Sequence, residues 1–262
     1  MTIGIIGCGK MGQALTLGAI KAGVFNSKNL YLFDPVQEAI DSLARASGGS
    51  PCLSLEDLLS RCDTLLICVK PAQVTEVLQD VKSSVLVLSI AAGVTLTAME
   101  NAAPEARIIR IMPNTPALVG KGAGAYSLGI TATGEDELFT KKLLESVGLA
   151  EKVPESLMDA ITGLSGSGPA YVYTMIEALA DGGLLEGLPR EQALRLATQT
   201  VLGGAQMVLE TGMLPAELRD RVTSPGGTTI AGLAALEERG FRSTVITAVS
   251  RAAARSKELG KQ

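Results

Sequence analysis

Three glycines set directly behind a short apolar run constrain this chain most. Residues 2–6 are apolar and strand-like, and Gly7-Cys8-Gly9-Lys10-Met11-Gly12 follows at once. In a strand–turn–helix setting each glycine has a task. Gly7 permits the tight turn, Gly9 lets the backbone approach a pyrophosphate, and Gly12 lets helix and strand pack closely. The helix that opens here offers unpaired N–H groups and a partial positive charge to phosphates. A glycine-rich turn with a purely structural role is the alternative. The context, with a second strand ending in an acid, favours the dinucleotide.

The first half continues in the same rhythm. A helix runs to about Ala22 and stops at Gly23, a C-cap signal. Leu30–Phe33 is a second strand ending at Asp34, and Val36, Ala39, Ile40 and Leu43 recur at helical spacing. Further strands are expected over 64–69, 85–90 and 108–112, with a helix near 75–82. Short apolar strands alternating with helices imply a doubly wound, mainly parallel sheet covered on both faces. Asp34 stands where a carboxylate can accept hydrogen bonds from an adenosine ribose and repel a 2′-phosphate, which leans the chain towards NADH over NADPH. Capping of the next helix, with Pro35 in its first turn, is the competing role. In open α/β sheets ligands lie beyond the carboxyl ends of strands. Three loops sit there: Val69-Lys70-Pro71, Ile90-Ala91-Ala92-Gly93, and the loop in which Pro113 and Pro116 bracket Asn114. Small residues at 91–93 would let a nicotinamide lie close to the backbone.

Composition removes several chemistries. The 262 residues contain no histidine, so no imidazole acts as base, triad member or metal ligand. Cys8, Cys52, Cys62 and Cys68 form no CxxC pair, so we expect no metal site and read them as reduced, buried thiols. The 23 basic and 27 acidic residues give a net charge of −4 with no basic run, so we expect no nucleic-acid partner. The N-terminus lacks the features of a signal peptide, and no apolar stretch reaches the ~20 residues of a membrane span. We expect a cytoplasmic protein with no membrane association. Aromatic residues make up only 3% and Trp is absent, so the core is built of small and aliphatic side chains.

The second half carries no alternating strands. We place the boundary at 157, with a dinucleotide-binding domain over 1–157 and an all-helical domain over 158–262. Residues 169–185 are apolar almost all round, a further helix is expected from Pro189 to about Glu210, and Phe241–Leu259 has one apolar face. A helix apolar on every side must be enclosed. In so small a domain that implies a second chain and an intertwined homodimer.

Between two helical segments, 215–222 and 229–238, lies Ser224-Pro225-Gly226-Gly227-Thr228-Thr229. A Gly-Gly pair followed by hydroxyls at a helix start can form an anion nest for a substrate carboxylate; simple N-capping is the alternative. No lysine occurs between Lys152 and Lys257, so the helical domain has no catalytic amine. With histidine also missing, the site lacks the usual strong proton donors. Hydride transfer to an iminium carbon suits it better than ketone reduction, whose developing alkoxide needs a donor.

The stretch from Pro215 to Glu237, centred on 224–229, closely resembles the signature of the pyrroline-5-carboxylate reductases. The resemblance extends over nearly the whole chain, through the Gly7–Gly12 turn, Val69-Lys70-Pro71, Met112-Pro113-Asn114-Thr115-Pro116, Gly166-Ser167-Gly168-Pro169-Ala170-Tyr171 and Ala180-Asp181-Gly182-Gly183. It implies a Rossmann domain followed by an all-α dimerisation domain. It also implies reduction of L-1-pyrroline-5-carboxylate to L-proline by NADH or NADPH, the last step of proline biosynthesis. The implied assembly is a homodimer, in many members a decamer of five dimers. By position, the resemblance puts Ile6, Gly7, Cys8, Gly9, Lys10, Met11, Cys68, Val69, Lys70, Pro71, Ile90, Ala91 and Ala92 on the cofactor; Gly12 of the turn, Asp34 and Asn114 are further cofactor-binding candidates. It puts Val222, Ser224, Gly226, Gly227, Thr228 and Thr229 around the substrate, whose carboxylate would rest on the N–H groups of 227–229. Thr229 would lie near the ring nitrogen and is the catalytic candidate. Many relatives carry Arg, Ser or Thr after the second strand, where this chain has Asp34. β-Hydroxyacid dehydrogenases share the turn and a helical tail but use a lysine that is missing here. A non-catalytic dinucleotide-binding regulator would have no use for 224–229. A related cyclic imine stays open as substrate, because one ring CH₂ is worth only about 1–3 kcal/mol in an apolar pocket.

Overall fold

A computed structural model describes residues 1–81 and 84–260, and contacts divide the chain into two compact units. The first is Met1–Ser167 together with the stretch from Ser250 onward; the second is Gly168–Val249. The first division thus falls at Ser167, beyond the expected position 157.

The first unit starts with β1 (Ile3–Ile6), α1 (Lys10–Lys21), β2 (Leu30–Phe33), α2 (Gln37–Ser47), β3 (Ser50–Pro51) and α3 (Leu55–Arg61). It continues through β4 (Thr64–Ile67), α4 (Pro71–Gln79), β5 (Leu86–Ser89), α5 (Leu96–Ala102) and β6 (Arg107–Met112). Then come β7 (Gly122–Leu128), α6 (Gly134–Glu145), β8 (Gly148–Lys152) and α7 (Met158–Ile161). One sheet holds all eight strands in the order β3-β2-β1-β4-β5-β6-β7-β8. Neighbours pair in parallel except β6 and β7, which are antiparallel.

The sheet is sandwiched between helices, so its central strands are buried on both faces and alternate between two cores. Ile3, Ile5, Leu66, Leu88 and Ile109 face one core; Ile6, Leu65, Ile67, Val87 and Ile108 face the other. Successive strand order runs outward from β1 in one direction and from β4 in the other. The β1/β4 seam is therefore the topological switch point, where ligands settle in such sheets.

Several boundaries differ from the sequence reading. The strand expected over 64–69 ends at Ile67; the Cys68 N–H makes the last bond of its ladder with β1, to Ile6 O at 2.7 Å, where β1 itself ends. The helix expected near 75–82 is α4, and Pro71 opens it at a first-turn position that needs no N–H; the expected end at Lys82 lies outside the described residues. The strand β7 has the sequence GAGAYSL, whose glycines and alanines carry little strand propensity, and it escaped notice along with α3, α5, α6 and β8. After α7 the chain makes one π-turn, Thr162–Gly166, with Ser167 N–H on Thr162 O at 2.8 Å.

The second unit contains α8 (Gly168–Leu185), α9 (Arg190–Thr211), α10 (Pro215–Arg221), α11 (Thr228–Glu238) and the start of α12 (Phe241–Leu259). Pro189 is the N-cap of α9, one position ahead of the helix it was expected to begin. Where α8 meets α9, a Cβ on Gly183 would lie 3.2 Å from the Ala193 Cβ, so the two backbones approach as closely as small residues allow. The buried cluster here is only Ala180, Ala193 and Ala197, with Ile176 against it. Large apolar side chains such as Tyr173 (59%), Leu185 (85%), Leu202 (52%) and Leu209 (82%) remain exposed in the single chain.

Candidate active site

The glycine turn in the first unit fits a dinucleotide residue by residue. Gly7 has φ +101°, and a Cβ there would stand 2.6 Å from the Cys68 carbonyl carbon. A Cβ on Gly12 would strike the carbonyl oxygen of Gly7. A Cβ on Gly9 would meet no atom within 4 Å. The first and third glycines are thus demanded by the protein's own packing, whereas the second faces open space at the start of α1. Gly9 is the N-cap of α1, with no side-chain cap and no acidic residue in the first turn. The first N–H groups of that helix therefore lack side-chain partners, as an anion site requires.

Asp34 clasps this turn. Its Oδ2 accepts the Cys8 N–H at 2.7 Å and its Oδ1 accepts the Val36 N–H at 2.8 Å. The second bond is an Asx-turn leading into α2, whose N-cap is Val36. Asp34 is therefore not the N-cap itself, and it serves the turn and the approach to α2 together. Gln13 adds a bond from Nε2 to Cys8 O at 3.0 Å.

Burial disfavours the thiolate form of the cysteines at this turn. Burial, then the adjacent Asp34 charge, pushes the Cys8 thiol up to about 12. Burial, then proximity to Cys8, pushes Cys68 up as well. All four cysteines are free, and Cys8, Cys52 and Cys62 are buried. Among the described residues no group of three or more His, Cys, Asp or Glu side chains could hold a metal ion.

The other loops expected on the cofactor side gather at the same edge of the sheet. Ile6 ends β1, Lys10 and Met11 open α1, and Cys68, Val69, Lys70 and Pro71 join β4 to α4. Ile90, Ala91 and Ala92 follow β5, with Ile90 N–H on Ile67 O at 3.1 Å. Asn114 follows β6 but is turned inward: Nδ2 donates to Ser165 O at 3.0 Å, and Oδ1 accepts the Ala123 N–H at 2.9 Å. The residue is 8% exposed, and its amide braces the loop against the π-turn and β7. These two bonds fix Asn114 at the carboxyl end of the sheet, on the side where a cofactor contact is expected of it.

Sequence reading missed one buried group nearby. Arg110, 5% exposed in the middle of β6, donates to Glu155 Oε1 at 2.9 Å, and the same oxygen accepts the Leu96 N–H at 2.6 Å. An arginine inside the apolar run Ile108-Ile109-Arg110-Ile111 signals a buried partner. The identity of that partner is not legible from the run.

In the second unit, residues 222–229 form a turn between α10 and α11. Val222 is the exposed C-cap of α10. Gly226 has φ +65°, and Gly227 donates its N–H to Ser224 O at 3.1 Å. A Cβ on Gly227 would collide with Ser224 Oγ, which leans over the turn. Gly227 is the N-cap of α11, without a side-chain cap, and Thr228 and Thr229 are its first residues. The Gly227 N–H closes the turn, so the forward-facing donors of the nest are those of Thr228 and Thr229.

A switch-point glycine cradle and a separate helical unit with an uncapped Gly-Gly nest define a nicotinamide-dinucleotide-dependent oxidoreductase. The chain is 48% identical to the pyrroline-5-carboxylate reductase of Methanosarcina acetivorans, over 99% of this chain and 98% of that one. It belongs to the pyrroline-5-carboxylate reductase family. The Escherichia coli enzyme of that name is 40% identical over 99% of this chain and 98% of its own. A profile described as pyrroline-5-carboxylate reductase dimerisation matches residues 155–259, and one described as NADP oxidoreductase, coenzyme F420-dependent, matches residues 2–93. The solved Plasmodium falciparum pyrroline carboxylate reductase with NADP bound is similar at a TM-score of 0.89 and 35% identity, covering 99% of this chain and 98% of that one. The Coxiella burnetii pyrroline-5-carboxylate reductase gives 0.93 and 33%, covering 100% and 99%.

Proposed function

We propose that the two sites work as follows. The chain reduces L-1-pyrroline-5-carboxylate to L-proline with a reduced nicotinamide dinucleotide, the last step of proline biosynthesis. The chemistry brought by the bound dinucleotide is hydride donation to the imine carbon. The chain's own residues hold and orient. Gly7, Gly9 and Gly12, with the first N–H groups of α1, carry the pyrophosphate. Residues 68–71 and 90–92 line the nicotinamide side with backbone and small side chains. The N–H groups of Thr228 and Thr229 carry the substrate carboxylate, and Gly226 and Gly227 keep side chains out of its way. The Thr229 hydroxyl hydrogen-bonds the ring nitrogen, donating to a neutral imine or accepting from the N–H of an iminium, and fixes the ring for attack. A threonine is a poor acid, the chain has no histidine and no lysine lies between Lys152 and Lys257, so the proton arrives on the iminium or from water. Rate enhancement comes chiefly from holding two reactants at reacting distance.

The observation that carries this reading is the intact Ser224–Gly226–Gly227–Thr229 turn at the uncapped start of α11. It supplies carboxylate recognition without a basic side chain. For the coenzyme we infer a preference for NADH, because the Asp34 carboxylate is fixed at the mouth of the glycine turn by the Cys8 N–H and a 2′-phosphate would meet its charge. The chain is a homo-oligomer through its C-terminal helical region, supported by the small buried cluster of the second unit beside many exposed apolar side chains. We read the basic assembly as a dimer, of which a decamer would hold five. Among the described residues no helix is long and apolar enough to cross a membrane. Four free thiols favour a reducing compartment, the cytoplasm.

The test is consumption of NADH, then NADPH, with pyrroline-5-carboxylate, followed by absorbance and with proline quantified as product. Turnover with stoichiometric proline is expected. Dinucleotide binding without proline formation would refute the assignment.

A further inference from the structure

The loop after β5 is held from two sides by parts of the first unit that are remote in sequence. Gly93, at φ +80°, is backed by the end of the chain: a Cβ there would lie 3.5 Å from the Gly260 nitrogen and 3.6 Å from Leu259. Conversely, a Cβ on Gly260 would lie 2.8 Å from the Gly93 carbonyl oxygen. A side chain at Gly260 would strike the Gly93 backbone, whereas at Gly93 it is the left-handed φ that calls for glycine. One helical turn before Gly260, Ser256 is 5% exposed, and its Oγ donates to Asp159 Oδ1 at 2.6 Å. Asp159 lies in α7, one turn beyond Glu155. The Glu155 carboxylate holds the start of α5 through the Leu96 N–H and is itself held by buried Arg110. Residues 155–159 therefore grip the far end of the β5–α5 loop with one carboxylate and the last turn of α12 with the other.

We propose that the C-terminal turn, residues 256–260, is a positioning element for the dinucleotide. Ser256, locked to Asp159, holds Leu259 and Gly260 against Gly93 and so fixes the backbone of residues 90–93. The loop needs outside support for a physical reason. Ala91 is packed into the core, but Ala92 and Gly93 beyond it have little side chain to anchor them, and a left-handed glycine is conformationally free. A binding surface made of backbone is only as precise as what packs behind it. The inference rests on the reading that residues 90–92 contact the cofactor.

The experiment measures the NADH dissociation constant by calorimetry, alongside steady-state kinetics, for the full-length wild type and four variants. Ser256→Ala and Gly260→Val are expected to raise both Kd and KM for NADH by about 3- to 10-fold, the scale of one lost hydrogen bond. Ser256→Thr, which keeps the hydroxyl, restores wild-type binding. KM for pyrroline-5-carboxylate stays within about twofold, because the imine is held elsewhere. Ala91→Val, in the loop itself, separates the two claims. If it weakens NADH while Ser256→Ala and Gly260→Val do not, the positioning role is overturned and the loop assignment stands. If Ala91→Val leaves Kd unchanged, the loop assignment falls and the inference with it. Thermal melts accompany each variant. A loss of NADH affinity that appears only in proportion to lowered Tm, and equally in KM for both substrates, would mark a merely structural contact and also overturn the proposal.

Discussion

Asp34→Asn removes one negative charge while keeping the size of the side chain and one acceptor oxygen. In the wild type both carboxylate oxygens are engaged, with Cys8 N–H at 2.7 Å and Val36 N–H at 2.8 Å. The asparagine can keep one of these bonds, so the turn is weakened but not released. The effect on the coenzyme is mainly Coulombic. A carboxylate that reads a ribose hydroxyl would stand about 5 Å from a 2′-phosphate. With an effective dielectric of about 40–80 at an open site, each phosphate charge then costs roughly 1–2 kcal/mol. A phosphate monoester carries about −1.5 to −2 near neutral pH, so the discrimination against NADPH is about 2 kcal/mol or more, some 30-fold. We expect Asp34→Asn to lower the ratio of kcat/KM for NADH to that for NADPH by at least about tenfold, mostly by raising the NADPH value. The assay is steady-state dinucleotide oxidation at saturating pyrroline-5-carboxylate, repeated across salt. The Debye length falls from about 10 Å at 0.1 M to about 3 Å at 1 M, so the wild-type bias should shrink with salt and the variant's should not. Asp34→Ser loses charge and clasp together and should also weaken NADH. If Asp34→Asn leaves the ratio and its salt dependence unchanged, Asp34 only holds the glycine turn, and the coenzyme argument is refuted.

Thr229→Ala should lower kcat/KM for the imine by roughly 10–100-fold with the NADH dissociation constant unchanged, the scale of one or two hydrogen bonds to the reacting group; an unaltered kcat/KM removes Thr229 from the chemistry. For Asp136, burial raises the carboxyl, but hydrogen bonds from Arg107 at 2.9 and 3.2 Å and from Thr133 outweigh it and leave the group below its ordinary value of 3.8. A folded value below the unfolded one contributes stability above the unfolded pKa that is lost as pH falls through the folded pKa. Urea melts of wild type and Asp136→Asn should therefore differ by a constant amount from neutral pH down to about 5 and converge below about 4; a gap that widens in acid would contradict the assignment. Cys8 and Cys62, with thiols pushed up to about 12, hold only about one part in ten thousand as thiolate at pH 8. The native protein should resist an aromatic disulfide reagent and react fully in denaturant. A native thiol that reacts as fast as free cysteine would show that the burial is wrong.

Much of this protein is written in local sequence. The glycine turn, the strand Leu30–Phe33 and the helix Phe241–Leu259 are legible because each rests on a local rule: backbone space, period two, period 3.6. The 224–229 turn is legible for the same reason, since its left-handed Gly226 and its helix start lie side by side in the chain. The absence of histidine, and of any lysine between Lys152 and Lys257, is a property of sequence alone, and it restricts the chemistry before any fold is known. Tertiary structure decided what depends on distance along the chain. The strand β7 carries almost no intrinsic signal and exists because β6 offers it a partner. The Asn114 loop is visible in the sequence, but the partners that hold its amide, Ser165 and Ala123, come to it only on folding. Asp34 is a visible acid, but its bond to Cys8 spans a helix and a strand. Arg110 announced that it needed a partner without saying which. The contact of Gly260 with Gly93 has no local trace at all, since two glycines far apart carry no mark of each other until the sheet and the last helix bring their backbones together.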